Sequence, residues 1–277
     1  MKTRLLTAAI ALPILIASII LPWWVPDTIW IFVVIAVLAL AAGMFEFFSL
    51  TKKLELKGDA GVAYLGAAGL IVLFVLDAPR QDPSLLLIVL AGFLVVVFIT
   101  QTFRFQKDFS KMLAGMGVTV LGVLYVAFLG GFLIATRVGF DSILSTKLLL
   151  FFFVVIFGSD AGQYFVGKAF GKRRLAPAIS PGKTIEGAVG GLFAAAGFAA
   201  LCTLIFFPEL SYKFSIPLGI AMAALGMFGD LAESAIKRGS KTKDAASILP
   251  GHGGLLDRLD SLLFNAPLLY YFARFYF

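Results

Sequence analysis

The sequence predicts an all-α, polytopic integral membrane protein of about nine transmembrane helices with a cytoplasmic N-terminus. Three observations carry this: composition, the length of the apolar blocks, and where the basic residues fall. Of the 277 residues 60% are hydrophobic and only 14% charged, with a mean hydropathy of +0.99. A soluble domain is typically about 45–50% apolar and about 25% charged. So much apolar surface needs lipid as its solvent. A bilayer core about 30 Å thick takes roughly 20 apolar residues per helix. On that measure the spans fall at about 5–24, 29–48, 61–77, 84–103, 113–135, 147–167, 185–207, 216–236 and 259–276.

The first span follows a basic start, Lys2 and Arg4, and has no clear small-residue cleavage site, so it reads as a retained helix rather than a leader. The third is short, and the fifth is rich in glycine; irregular geometry is expected there. Lys52, Lys53 and Lys57, Arg104, Lys107 and Lys111, and the loops after spans 6 and 8 gather basic residues on the N-terminal side of the bilayer. The opposite side has only Arg80, Arg137, Lys147, Lys213 and Arg274. This asymmetry puts the N-terminus in the cytoplasm, the C-terminus outside, and an odd number of spans between them. The net charge of +7 then reflects cytoplasmic loops facing anionic lipid, and no nucleic-acid partner is expected. The single cysteine, Cys202, lies in an apolar run and excludes an intrachain disulfide. Residues 1–145 are expected to form an N-terminal group of helices, and residues 146–277 a catalytic region.

Carboxylates mark the chemistry. Glu46, Asp160, Asp230, Glu233 and Asp260 lie inside apolar spans or at their cytoplasmic ends. A charge at the centre of a span costs about 2.5–3.5 kcal/mol on insertion scales, so several on one side point to a shared polar site. On span 8, Asp230, Ser234, Lys237 and Arg238 follow helical spacing and form one stripe. Asp257 and Asp260 share a face if the last helix begins by Asp257. Close carboxylates repel unless a cation or proton lies between them, and oxygen donors without a His or Cys cluster suit Mg²⁺. Salt bridges to Lys237, Arg238 and Arg258 are the alternative use of the same acids.

The run Gly251-His252-Gly253-Gly254 before the last helix would let backbone amides approach a phosphate, with the helix N-terminus adding favourable charge. His252, the chain's one histidine, reads as a substrate contact. Earlier, Gly182-Lys183-Thr184 is similar to the end of a phosphate-binding P-loop. Pro177 stands where the first glycine belongs, and no strand is expected before it, so the match fails. A basic, proline-gated turn remains, with Ser180 as the expected helix cap and Glu186 in the first turn. Gly187, Gly190 and Gly191 suit close helix packing. Asp160 and Gln163 share a face of span 6 and should look toward the same interior.

Taken together, Ser234-x-x-Lys237-Arg238, Lys243-Asp244 and Pro250-Gly251-His252-Gly253-Gly254-x-x-Asp257-Arg258-x-Asp260 resemble the signature of the phosphatidate cytidylyltransferases, the CDP-diacylglycerol synthases. Gly229-Asp230-x-x-Glu233-Ser234, Ser180-Pro-x-Lys183-Thr184-x-x-Gly187 and the segment around Asp160 agree with it. The resemblance is specific over residues 158–261 and only topological before that; Gly182 stands where many relatives have lysine.

The resemblance implies transfer of the cytidylyl group of CTP to phosphatidic acid, giving CDP-diacylglycerol and pyrophosphate, in a cell (inner) membrane with the site facing the cytoplasm. It implies Asp230 and Asp257 as Mg²⁺ ligands with Asp260 beside them, and leaves room for a second cation. Lys237, Arg238 and Arg258 would bind phosphates, supported by Ser234, Lys243, His252 and Asp160. Ser180 and Lys183 would touch the nucleotide or the lipid phosphate. Small-residue helix faces are compatible with a homodimer. Two other readings are a CTP-dependent membrane lipid kinase and a secondary transporter. The strict signature spacing disfavours the first, and charges gathered at one face rather than the midplane disfavour the second.

Overall fold

The structure is a computed structural model that describes residues 2–80, 84–106, 108–240 and 254–277. Among these residues the regular structure is helical apart from one small hairpin. The helices are α1 (Lys2–Ile20), α2 (Ile29–Lys53), α3 (Ala60–Asp77), α4 (Ser84–Arg104), α5 (Met112–Gly122), α6 (Leu129–Val138), α7 (Ser142–Phe170), α8 (Ile185–Ile205), α9 (Tyr212–Gly239) and α10 (Leu256–Tyr276). A π-helical stretch, Val123–Phe128, joins α5 to α6 in one rod, which is the irregularity expected of the fifth span. Each expected span is thus occupied by a helical rod, several of them longer than their apolar cores.

Among the described residues, seven rods are long and apolar enough to cross a membrane. The first contributes a shorter apolar stretch, Ala9–Trp23. The last, α10, carries Asp257, Arg258, Asp260 and Arg274 within it.

Helix starts follow local chemistry. The Asp59 carboxylate accepts from Val62 N at the head of α3, and Asp141 accepts from Ile143 N and Leu144 N at the head of α7. Thr184 caps α8 by accepting from Gly187 N at 3.1 Å. The cap expected at Ser180 is therefore at Thr184. Ser180 instead opens a strand, because residues expected to form a plain turn pair as an antiparallel hairpin, β1 (Arg174–Ala176) with β2 (Ser180–Thr184).

In lipid the hydrophobic effect does not draw helices together, so close packing and hydrogen bonds must do so. The most extensive contact is α7 on α8. A Cβ at Gly187 would lie 2.8 Å from the Gln163 carbonyl oxygen, and one at Gly190 would lie 2.5 Å from Val166 Cβ. The packing role expected of these glycines is met. The chain continues α8 on α9 and α9 on α10, and α10 also packs on α6 and α2. The last helix is thus held by both halves of the sequence.

Candidate active site

A cavity of about 790 Å³ opens where α7, the hairpin, α9 and the start of α10 converge. Asp160, Gln163 and Lys168 line it from α7; Arg174 and Lys183 from the hairpin; Asp230 and Lys237 from α9; Asp257, Arg258 and Asp260 from α10. Of the residues singled out in the sequence, it gathers Asp160, Lys183, Asp230, Lys237, Asp257, Arg258 and Asp260. Phe157 and Tyr164, a helical repeat apart on α7, line the same cavity with apolar surface.

The acids are held by cations. Lys183 Nζ lies 2.5 Å from Asp230 Oδ2, joining β2 to α9. Ser234 donates to Asp230 Oδ1 at 3.3 Å, so the stripe read on α9 is real from Asp230 to Ser234. One turn further, Lys237 Nζ lies 2.6 Å from both Glu233 Oε2 and Asp257 Oδ1. Glu233 is fully buried. Beside Asp230, on the side away from Lys237, α9 and α10 almost touch: a Cβ on Gly229 would lie 2.5 Å from the Asp260 carbonyl oxygen. This approach sets Asp230 beside Asp260.

Three of the residues singled out do not line the cavity: Ser234, which is held to Asp230, and Ser180 and Arg238. Arg238 Nε donates to the Ile179 carbonyl at 3.1 Å and so braces the hairpin turn; neither it nor Ser180 lines the cavity. Lys243 and His252 lie outside the described residues.

Of the run whose amides were expected to approach a phosphate, Gly251, His252 and Gly253 lie outside the described residues, and the amides that follow are already engaged. Gly254 N donates to Asp257 Oδ2 at 3.1 Å, while Leu255 N and Leu256 N donate to Glu46 Oε1 and Oε2 at 2.8 and 2.7 Å. The chain's own carboxylates take these three donors. The cationic side chains that line the cavity are Lys168, Arg174, Lys183, Lys237 and Arg258.

Several residues at the site carry no mark in the sequence alone. Arg174 sits in a basic loop with no motif around it, and Ser261 follows Asp260 without a marked spacing of its own; neither carries a signal. Glu46 and Glu233 were visible as acids in apolar helices, but their partners were not.

Among the described residues, no three His, Cys, Asp or Glu side chains converge as a ready-made metal cage. The acids that line the cavity, Asp160, Asp230, Asp257 and Asp260, offer oxygen donors only, a set that suits Mg²⁺ better than zinc. Mg²⁺ keeps several waters and is usually held by one or two carboxylates plus substrate phosphates. Oxygen donors facing an open, basic cavity meet that requirement.

Residues 2–276 match the sequence profile of the cytidylyltransferase family. The chain is 34% identical to the phosphatidate cytidylyltransferase of Bacillus subtilis (strain 168) over 276 residues, 98% of this chain and 97% of that protein. It is 32% identical to the phosphatidate cytidylyltransferase of Staphylococcus aureus (strain COL) over 274 residues, 97% of each. A 136-residue stretch is 44% identical to that of Haemophilus influenzae (strain ATCC 51907 / DSM 11121 / KW20 / Rd), covering 47% of this chain and 46% of that one. With the match running almost end to end over an all-helical membrane fold, the chain belongs to the cytidylyltransferase family of nucleotidyltransferases.

Proposed function

We propose that the protein transfers the cytidylyl group of CTP to phosphatidic acid, releasing pyrophosphate and leaving CDP-diacylglycerol for phospholipid synthesis. The observation that carries this reading is the cavity shared by the Lys183–Asp230 and Lys237–Asp257 pairs, which mixes acids and bases at one end of an apolar bundle.

The chemistry asks little of a general base. A phosphate oxygen of phosphatidic acid is already anionic near neutral pH and attacks the α-phosphorus of CTP. The bond from the α-phosphorus to the oxygen bridging the β-phosphorus breaks, and that oxygen leaves with pyrophosphate. The difficulty is bringing two polyanions together and stabilising the charge that develops on the leaving group. Lys183, Lys237, Arg174 and Arg258 supply fixed positive charge at the cavity wall. Asp230 and Asp257 would hold Mg²⁺ together with phosphate oxygens and water, with Asp260 beside them. When bound, the metal ion neutralises phosphate charge and orients the triphosphate.

The soluble substrate and the lipid substrate must meet at a bilayer surface. The excess of Lys and Arg in the loops on the site's side supports a cytoplasmic site in the cell membrane. Purified protein given phosphatidic acid vesicles and CTP, with and without Mg²⁺, tests the reading directly. Cytidine label should enter the lipid only with Mg²⁺. Label from the γ-phosphate appearing in lipid instead would replace this reading with a lipid kinase.

A further inference from the structure

The Glu46 side chain is fully buried on α2, yet it belongs to the architecture of the site on α10. Its two carboxylate oxygens accept from Leu255 N and Leu256 N, at 2.8 and 2.7 Å. The start of α10 has no side-chain cap of its own; Leu255 occupies the cap position and supplies none. The first amides of a helix lack intrahelical acceptors, and a carboxylate there also meets the positive end of the helix dipole. A second contact keeps the two helices in register: a Cβ on Gly43 would lie 3.2 Å from Leu259 Cδ1. The turn fixed in this way is the one that presents Asp257 and Arg258 to the cavity.

We propose that Glu46 is a positioning residue for the transfer reaction, acting through Asp257. By holding the Leu255 and Leu256 amides, it sets where α10 begins and so the direction of the Asp257 carboxylate. Asp257 in turn accepts from Gly254 N through Oδ2 and pairs with Lys237 through Oδ1. Glutamine at position 46 would keep the shape but turn an NH₂ donor toward one of the two amide donors. The inference rests on the reading that Asp257 belongs to the transfer machinery.

The test uses the full chain in detergent and two measurements. Amide exchange on peptides spanning residues 254–259 should find Leu255 and Leu256 protected, although they open a helix. Glu46→Gln should speed their exchange and lower kcat about 10-fold or more, within the range seen when supporting residues of a metal site are removed. KM for phosphatidic acid should stay within about 2-fold, because the lipid does not touch position 46; a general loss of packing would lower the active fraction and the thermal midpoint together. Should Glu46→Gln fail to fold, Glu46→Asp keeps the charge but falls one methylene short, and is read the same way.

Unprotected amides in the parent protein, or a Glu46 variant that frees them without changing kcat, would overturn the proposal. An active Asp257→Asn variant would instead overturn the assignment of Asp257, whatever the exchange data show. Loss of transfer in Asp257→Asn beside an unaffected Glu46→Gln would remove Glu46 alone.

Discussion

The ammonium of Lys183 lies 2.5 Å from the carboxylate of Asp230, so the hairpin after α7 is fastened to α9 at the wall of the cavity. A triphosphate entering there meets a lysine already engaged. On the proposed function, binding a phosphate would draw Lys183 away from Asp230, and the freed carboxylate would be one of the residues to hold Mg²⁺. The pair thus holds both partners ready in a state with no net charge.

Lys183→Met should raise KM for CTP about 10-fold or more while the protein inserts normally, since a charged hydrogen bond to phosphate is worth about 1.5–3 kcal/mol. Steady-state kinetics in detergent reads it. An unchanged KM would make Lys183 only a tether for the hairpin.

Asp257→Asn should fold yet lose magnesium-dependent transfer by about 100-fold or more, because the amide keeps the size of the side chain but not its charge. The measurement is cytidine incorporation across a Mg²⁺ titration. Turnover near that of the parent would remove Asp257 from the cation's surroundings.

Lys237 separates two acids, so its loss should be felt in stability as well as rate. Lys237→Met leaves Glu233 buried without its partner, and breaking a buried ion pair costs about 3–5 kcal/mol. Adding Glu233→Gln should recover much of the thermal midpoint but none of the turnover. If the double variant melts no higher than the single one, Glu233 is not the source of the loss.

Gly229→Ala should force α9 and α10 apart, since its Cβ would lie 2.5 Å from the Asp260 carbonyl oxygen, a backbone atom that cannot swing aside. Overpacking of this kind costs about 1–3 kcal/mol, and here it also shifts Asp230 against Asp260. Both the melting midpoint and kcat should drop. A variant with both intact would mean that the crossing is looser than described.

Lys147 Nζ lies 2.5 Å from Glu209 Oε1 on the side of the bundle away from the cavity. This hydrogen bond holds the Glu209 carboxyl below its ordinary value of 4.5. With the folded pKa depressed, the contribution to stability is present above about pH 4.5 and is lost as pH falls through the lower folded value. The carboxylate is half exposed, so the effect is small and screened by salt. Melting midpoints of parent and Glu209→Gln should differ at neutral pH and converge as pH falls from 4.5 through the depressed folded value. A constant difference across that range would show that the pair contributes no pH dependence.

The helices were legible because about 20 apolar residues in a row leave few alternatives to a membrane helix. The hairpin was not: β1 is three residues long, and Ser180-Pro181-Gly182 reads as a turn whichever way the flanking residues pair. Among the site residues, Asp160, Asp230 and Asp260 stood out because charge in an apolar helix demands a reason, and Asp257 through its spacing from Asp260. Their pairings did not. Lys183 with Asp230, and Glu46 with the amides of α10, join residues far apart in sequence, where no periodicity speaks. Arg238 shared the helical stripe with Ser234, yet a carbonyl on the neighbouring hairpin claimed it.

The crossing at Gly229 makes the cavity a vice with jaws of unequal stiffness. On one side α9 and α10 meet backbone to backbone at Gly229, and Glu46 clamps the start of α10, so that jaw resists sliding and widening. On the other, α7 and α8 are locked through Gly187 and Gly190. The hairpin between them is tied down by Lys183, Arg238 and Glu186, whose carboxylate takes Lys172 N and Arg173 N. Of these ties, the one facing the cavity is the bond that an arriving triphosphate would compete for. Loading and unloading of nucleotide should therefore be felt first as movement of β1 and β2 while the four surrounding helices stay still.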